Sequence, residues 1–227
     1  MEKVIIPAWK KWLSWLFPIR LEESSSDFND LLVVSLSKGR LQLLTENAIY
    51  SYDDLYDNFD FAFSKLRLDN IHETLVLGLG LGSIPYLLEK KYGIHTNITA
   101  VEIDEEIIYL AGKYSLHRLK NPTDCICTRA EIFLDVTEEK FNLICMDVFV
   151  DEQIPEVFLS TNFLETIREK ITPGGIFLFN HLATSTEDKE KAQLYFDEIF
   201  LSVFPAGKIL KAPHNYILLQ DKTREKA

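Results

Sequence analysis

The chain has 227 residues, of which 47% are hydrophobic and 26% charged, with 9 Gly and 8 Pro. That composition is globular and excludes collagen-like, disordered and disulfide-stapled classes. Lys and Arg number 24 against 35 Asp and Glu, so the net charge is −11. A generic electrostatic grip on nucleic acid or on an anionic membrane is therefore not expected. The three cysteines, Cys125, Cys127 and Cys145, form an odd set without a secretory leader, which indicates a reducing compartment. No C-x-x-C or H-x-x-x-H spacing supports a metal site. No apolar run reaches the roughly 18 residues that span a bilayer. Lys10 and Lys11 interrupt the first apolar stretch, so a cytoplasmic protein is expected rather than a leader.

In chain order, Trp9, Trp12, Leu13 and Leu16 have i, i+3, i+4, i+7 spacing between Pro7 and Pro18, which predicts one helical stripe. Such a stripe suits a membrane surface or a partner. It also suits docking on its own domain or on a second subunit of a homodimer, and that docking is the expectation. Residues 21–29 are polar and read as a linker. LLVVSLSKGRLQLLT reads as a hairpin turning at Lys38-Gly39. AIYSY adds a short strand, and residues 53–66 a helix. Residues 1–70 thus form a small β-hairpin and helix elaboration.

From residue 71 the rhythm changes to strands alternating with helices, through residue 227. TLVLGLG, ITAVEID, CICTRA, FNLICMD and IFLFN are buried strands, and GKILKA and NYILLQ close the chain as an antiparallel pair. Helices are expected after Gly82, over 105–116, over 157–171 (stopped by Pro173-Gly174-Gly175) and over 191–204. This is an α/β, doubly wound, Rossmann-like arrangement with a seven-stranded mostly parallel sheet.

In such a sheet ligands bind beyond the carboxyl ends of the strands. After the first strand comes Gly78-Leu79-Gly80-Leu81-Gly82-Ser83, which permits a tight turn and close backbone approach. After the second comes Glu102, twenty residues beyond Gly82, placed to accept bonds from two ribose hydroxyls. Ser83 stands where a dinucleotide turn wants Gly or Ala, so an S-adenosylmethionine-type ligand is favoured over NAD.

The segments VLGLGLGSIPYLL, VEIDEEII, NLICMDVFVDEQIPEVF and ITPGGIFLFN resemble the spermidine-synthase-like branch of class I S-adenosylmethionine-dependent transferases, and LQLLTENAIYSYDDLYDNF is similar to that family's small β domain. The resemblance implies the class I methyltransferase type of fold. It implies that Gly78, Gly80 and Gly82 line the donor's methionine-derived arm, that Glu102 holds the ribose, and that Ile103 lies against adenine. Thr128, Arg129, Ala130 and Glu131 fall on a short acidic motif that touches the adenine amine. Asp147 falls on the acid that orients and deprotonates the attacking amine. Tyr56 and Tyr50 fall near acceptor-facing positions, and Asp151 loosely on a second acid. Leu81 stands where the family carries an Asp for the decarboxylated donor.

These residues lead to group transfer from a sulfonium donor, S-adenosylmethionine or its decarboxylated form, to a small-molecule acceptor, with an amine as the candidate. With Leu81 in place of an acid, methyl transfer is the leading expectation and aminopropyl transfer the alternative. A non-catalytic binding module stands second to these. His181, just after the fifth strand, is a further candidate base. Twelve acids fall in the windows 53–60, 102–106 and 147–156, which hold no Lys or Arg. All three windows are expected to border the cleft.

Overall fold

The protein is described by a computed structural model covering residues 3–46, 49–149 and 153–226. A four-stranded antiparallel sheet comes first, in the order β1 (Ile19–Ser24), β2 (Leu32–Ser37), β3 (Arg40–Leu44), β4 (Ile49–Ser51). The hairpin turn is Lys38-Gly39, both with positive φ, the geometry of a tight two-residue connection. Strand β1 lies where the polar composition of residues 21–29 predicts a linker. Its Glu22 reaches the helix α4 (Glu105–Tyr114), where it accepts hydrogen bonds from Lys113 Nζ at 2.8 Å and from Tyr114 Oη. The polar segment is a strand through its antiparallel pairing with β2, and this ion pair fastens it to α4.

The second sheet has seven strands: β5 (Glu73–Leu77), β6 (Asn97–Glu102), β7 (Thr123–Cys127), β8 (Phe141–Met146), β9 (Ile171–Leu182), β10 (Lys208–Lys211) and β11 (Asn215–Leu219). Their order is β10-β11-β9-β8-β5-β6-β7, and β11 alone runs against its neighbours. Strand β9 continues through Pro173-Gly174-Gly175, where only a stop is expected. The surplus residues leave the ladder, because Phe141 pairs Ile171 while Leu143 pairs Ile176.

Three helices differ from expectation. The segment CICTRA stops being a strand at Cys127, and an unforeseen helix α5 (Ala130–Val136) begins just beyond Arg129. The helix after β9 starts at Thr186 rather than 191, because Ser185 and Asp188 form a capping box. The helix expected over 53–66 breaks at Tyr56, whose ψ of 87° separates a 3₁₀ turn (Asp53–Leu55) from α2 (Asp57–Lys65). That break turns Tyr56 out of the helical stripe.

Apolar layers cover both faces of the large sheet. A third cluster joins the small sheet to α4 through Leu32, Leu36, Leu43, Leu81 and Leu110. Helix α1 (Ala8–Leu13) is shorter than its stripe, and its tryptophans are exposed rather than docked on the body of the chain. Among the described residues no helix is long and apolar enough to cross a membrane.

His181 does not face the cleft. Alternation along β9 sends Asn180 to one side and His181 to the other, where its ring stacks on Tyr195 at 4.9 Å with Nε2 buried and unpartnered. Burial pushes its pKa down to about 3. The native imidazole stays neutral while the unfolded one takes up a proton below pH 6.5, so stability falls with acidification. Between pH 7 and pH 5 the loss is about 2 kcal/mol. His181→Phe should narrow the gap in urea midpoint between those two pH values. An unchanged gap would show that this histidine does not drive acid sensitivity.

Candidate active site

Strand order reverses between β5 and β8, the switch point at which a crevice opens beyond the carboxyl ends. Asp147 N donates to the Leu77 carbonyl at 2.8 Å across that point. Gly78 has φ +86°, and a Cβ there would lie 2.1 Å from the Asp147 carbonyl oxygen. Conformation and close approach both demand glycine. Gly80 is crossed by β4, since a Cβ would lie 3.0 Å from the Tyr50 carbonyl oxygen. Ser83 fastens that crossing, with its Oγ 2.6 Å from Ser51 Oγ and accepting from Tyr52 N at 2.9 Å.

A cavity of about 690 Å³ opens above this turn, within the size range of small-ligand sites. Gly78, Gly80, Glu102, Ile103 and Asp147 line it. So do Thr128, Arg129, Ala130 and Glu131 from the start of α5, and Tyr50 and Tyr56 from the N-terminal part. Gly82 does not line it. It turns the chain into the following helix, and a Cβ there would lie 2.9 Å from Leu116 Cδ2. Asp151 lies outside the described residues.

Glu102 is buried and rigidly held. Its Oε2 accepts from Leu79 N at 2.9 Å, and its Oε1 from Ile103 N at 2.9 Å and Asp104 N at 3.2 Å. Burial raises its pKa, and those three amides oppose the rise. Asp104 caps α4 and also accepts from Asn29 Nδ2 at 2.8 Å and from Ser26 Oγ. This draws the loop after β1 over the cavity, where Phe28 and Asn29 join its wall. Glu131 shares one oxygen with Arg129, while its Oε2 is buried with no partner.

Asp147 is held on both oxygens. Tyr56 Oη donates to Oδ2 at 2.6 Å and Asn180 Nδ2 to Oδ1 at 2.8 Å. Asn215 Nδ2 in turn donates to Asn180 Oδ1 at 2.9 Å, which fixes the orientation of that amide. Burial raises the Asp147 pKa to about 6, against the two hydrogen bonds that lower it. Burial also pushes the Tyr56 hydroxyl well above its ordinary range, with the Asp147 charge adding to it, so Tyr56 is a donor. Asn180 and Asn215 escape sequence reasoning. The available signal was a polar residue closing the apolar run IFLFN, just as Asp147 closes FNLICM.

The acidic windows do not all border the cleft. Asp53 pairs with Arg118 at 2.5 Å, Asp54 with Arg40 at 2.7 Å and Asp60 with Lys91 at 2.9 Å. These bridges are structural and lie off the cavity. Among the described residues the cavity acids are Glu102, Asp104, Glu131 and Asp147. Leu81 points into the core beneath the small sheet, so it offers the cavity nothing.

No family profile matches the chain. A probable polyamine aminopropyl transferase of Bifidobacterium longum (strain NCC 2705) is 35% identical over 199 residues, covering 84% of this chain and 43% of that protein. A polyamine aminopropyltransferase of Vibrio vulnificus (strain CMCP6) is 27% identical over 114 residues, covering 49% and 38%. The crystal structure of spermidine synthase from Thermotoga maritima superposes with a TM-score of 0.67 at 13% identity, covering 88% of this chain and 72% of that one. The chain is similar to the spermidine-synthase-like family of class I S-adenosylmethionine-dependent transferases and shares its fold. It spans less than half the length of the two curated relatives.

The relay makes the Asp147 carboxyl sensitive to Asn215, which does not touch it. Asn180→Ala should raise the Asp147 titration midpoint by about one unit, since a hydrogen bond to a charged group is worth roughly 1.5–3 kcal/mol. Asn215→Ala should raise it by less. Carboxyl-carbon NMR titration would measure both, and no change in Asn180→Ala would rule out the relay.

Proposed function

We propose that the protein transfers an aminopropyl group from decarboxylated S-adenosylmethionine to a polyamine-type amine acceptor. The observation that carries this reading is Asp147, clasped by Tyr56 and Asn180 at the floor of the cavity that Glu102 also lines. It ranks aminopropyl above methyl transfer, which the residues alone put first, because two curated relatives bear the former in their names.

The residues present fit a nucleoside donor. Glu131 Oε2 is an orphaned buried acceptor lining the cavity, suited to an exocyclic adenine amine. Glu102 is held by three amides and retains one lone pair, on Oε2, for a ribose hydroxyl. Ile103 and Phe28 offer apolar faces to the purine. When bound, the sulfonium donor supplies an alkyl carbon that an amine nitrogen displaces from sulfur, leaving a neutral thioether.

The chain's own task is positioning and proton removal. Ionised Asp147 faces the acceptor nitrogen and takes its proton. Tyr56 and Asn180 hold the carboxylate in place while leaving it basic enough, near pKa 6, to act at neutral pH. A cationic acceptor is further attracted by the four cavity acids.

Methyl transfer is the second reading, favoured by Leu81. With that side chain in the core, the glycine turn presents no carboxylate to the donor's free amine.

Calorimetric titration with S-adenosylmethionine and its decarboxylated form separates the two. Tighter binding of the decarboxylated form is expected, and the reverse preference would overturn aminopropyl transfer. Asp147→Asn should lower kcat by about 10²–10⁴-fold with donor binding retained. In the wild type kcat/KM should climb with pH through about 6, as Asp147 ionises. Tyr56→Phe removes a bond that lowers the Asp147 pKa, so its acid limb should move to higher pH. Full turnover in Asp147→Asn would exclude the base role.

A further inference from the structure

Helix α1 and the turn after it display an apolar surface that nothing in the fold covers. Trp9, Trp12, Trp15 and Leu16 are 61%, 73%, 64% and 71% exposed. Ile5 and Phe17 are exposed beside them. These are all three tryptophans of the chain. A patch of this kind on one short segment marks an interaction site.

The segment is fixed in place without burying its large side chains. Val4 N donates to the Lys113 carbonyl at 3.0 Å, and Lys38 N to the Ser14 carbonyl at 2.9 Å. Gly39 N donates to Ser14 Oγ at 2.8 Å. Only Ser14 is buried. Backbone bonds, Ser14 and the packing of Val4 and Ile6 on the small-sheet core thus hold the aromatic rings outward.

Charge identifies the occupant. Residues 3–20 contain Lys3, Lys10, Lys11 and Arg20 and no Asp or Glu. The rest of the chain then carries 20 basic against 35 acidic residues. Arg20 is paired with Glu23, which leaves the three lysines, with Lys10 Nζ lying 5.7 Å from the Trp9 ring centroid. The molecule is therefore strongly polarised, with a cationic aromatic pole on an acidic body. Two such poles repel one another, which disfavours a second copy as the cover. Tryptophan combined with lysine is the pairing that settles at a bilayer interface, rings among the headgroups and ammoniums on the phosphates.

We propose that this segment docks the protein peripherally on an anionic lipid surface. The net charge of −11 argued against such an attraction when averaged over the chain. At physiological salt, charges beyond about 8 Å are screened, so the pole meets the membrane and the acidic body faces away. The placement is independent of the reaction, since none of these residues lines the cavity.

The test is flotation with phosphatidylcholine vesicles, with and without phosphatidylglycerol, with tryptophan emission read in parallel. Binding confined to the anionic vesicles is expected, with a blue-shifted emission. Lys10→Glu/Lys11→Glu and Trp9→Ala/Trp12→Ala should each weaken binding about tenfold or more, as should raised salt. Nucleoside affinity should stay unchanged in both variants, which also reports that they fold. Two results would overturn the proposal. One is no binding to anionic vesicles. The other is a concentration-dependent dimer in sedimentation that the tryptophan variant abolishes, since the cover would then be a second copy.

Discussion

The site rests on one close approach. At the centre of the large sheet the backbone of Asp147 passes Gly78 so tightly that no side chain fits between them. This contact joins the two halves of the doubly wound sheet where their strand order diverges. The glycine turn, with Glu102 beyond it, belongs to one half. Asp147 belongs to the other. Without a bare Cα at Gly78 the two halves would stand further apart, and the polar groups they carry would not share a cavity. The backbone geometry therefore precedes the chemistry, and the side chains exploit a gap that glycine makes available.

The N-terminal elaboration completes the cavity rather than decorating it. Strand β4 crosses the glycine turn and is tied there by the Ser51–Ser83 contact. The break before α2 swings Tyr56 onto Asp147. The loop after β1 is pulled down by Asp104. Three separate links from the small sheet thus end on groups at the carboxyl ends of the large one. Leu81 belongs to the same junction, packed beneath the small sheet.

Much of this was legible in the sequence. Short continuous apolar runs alternating with helical runs gave the seven strands and the doubly wound, mostly parallel class, but not the strand order. The spacing of Gly78, Gly80 and Glu102 placed three residues of the cavity wall, and Asp147 stood out as a lone acid closing an apolar strand. What was not legible depended on pairs distant in the chain. Strand β1 forms by pairing with β2 and is tied to α4 where Glu22 meets Lys113 and Tyr114, and neither segment announces the other. Asn180 matters because Asn215 orients it from an antiparallel neighbour. The acidic windows misled because periodicity cannot see that Arg40, Lys91 and Arg118 come from elsewhere to neutralise Asp54, Asp60 and Asp53. His181 misled because one step along a strand reverses the face.

The position of β11 has a consequence for how the molecule assembles. It is the last strand in the chain, yet it lies inside the sheet, between β10 and β9. Until it inserts, β10 has no partner and β9 carries an open edge. The Asn180 amide is equally free to present its oxygen or its nitrogen to Asp147. Insertion of β11 closes that edge and, through Asn215, selects the nitrogen. The final long-range pairing of the sheet and the last adjustment of the reactive carboxylate are then a single event. Asn215 also lines the cavity, so the wall and the orientation of Asp147 are completed together.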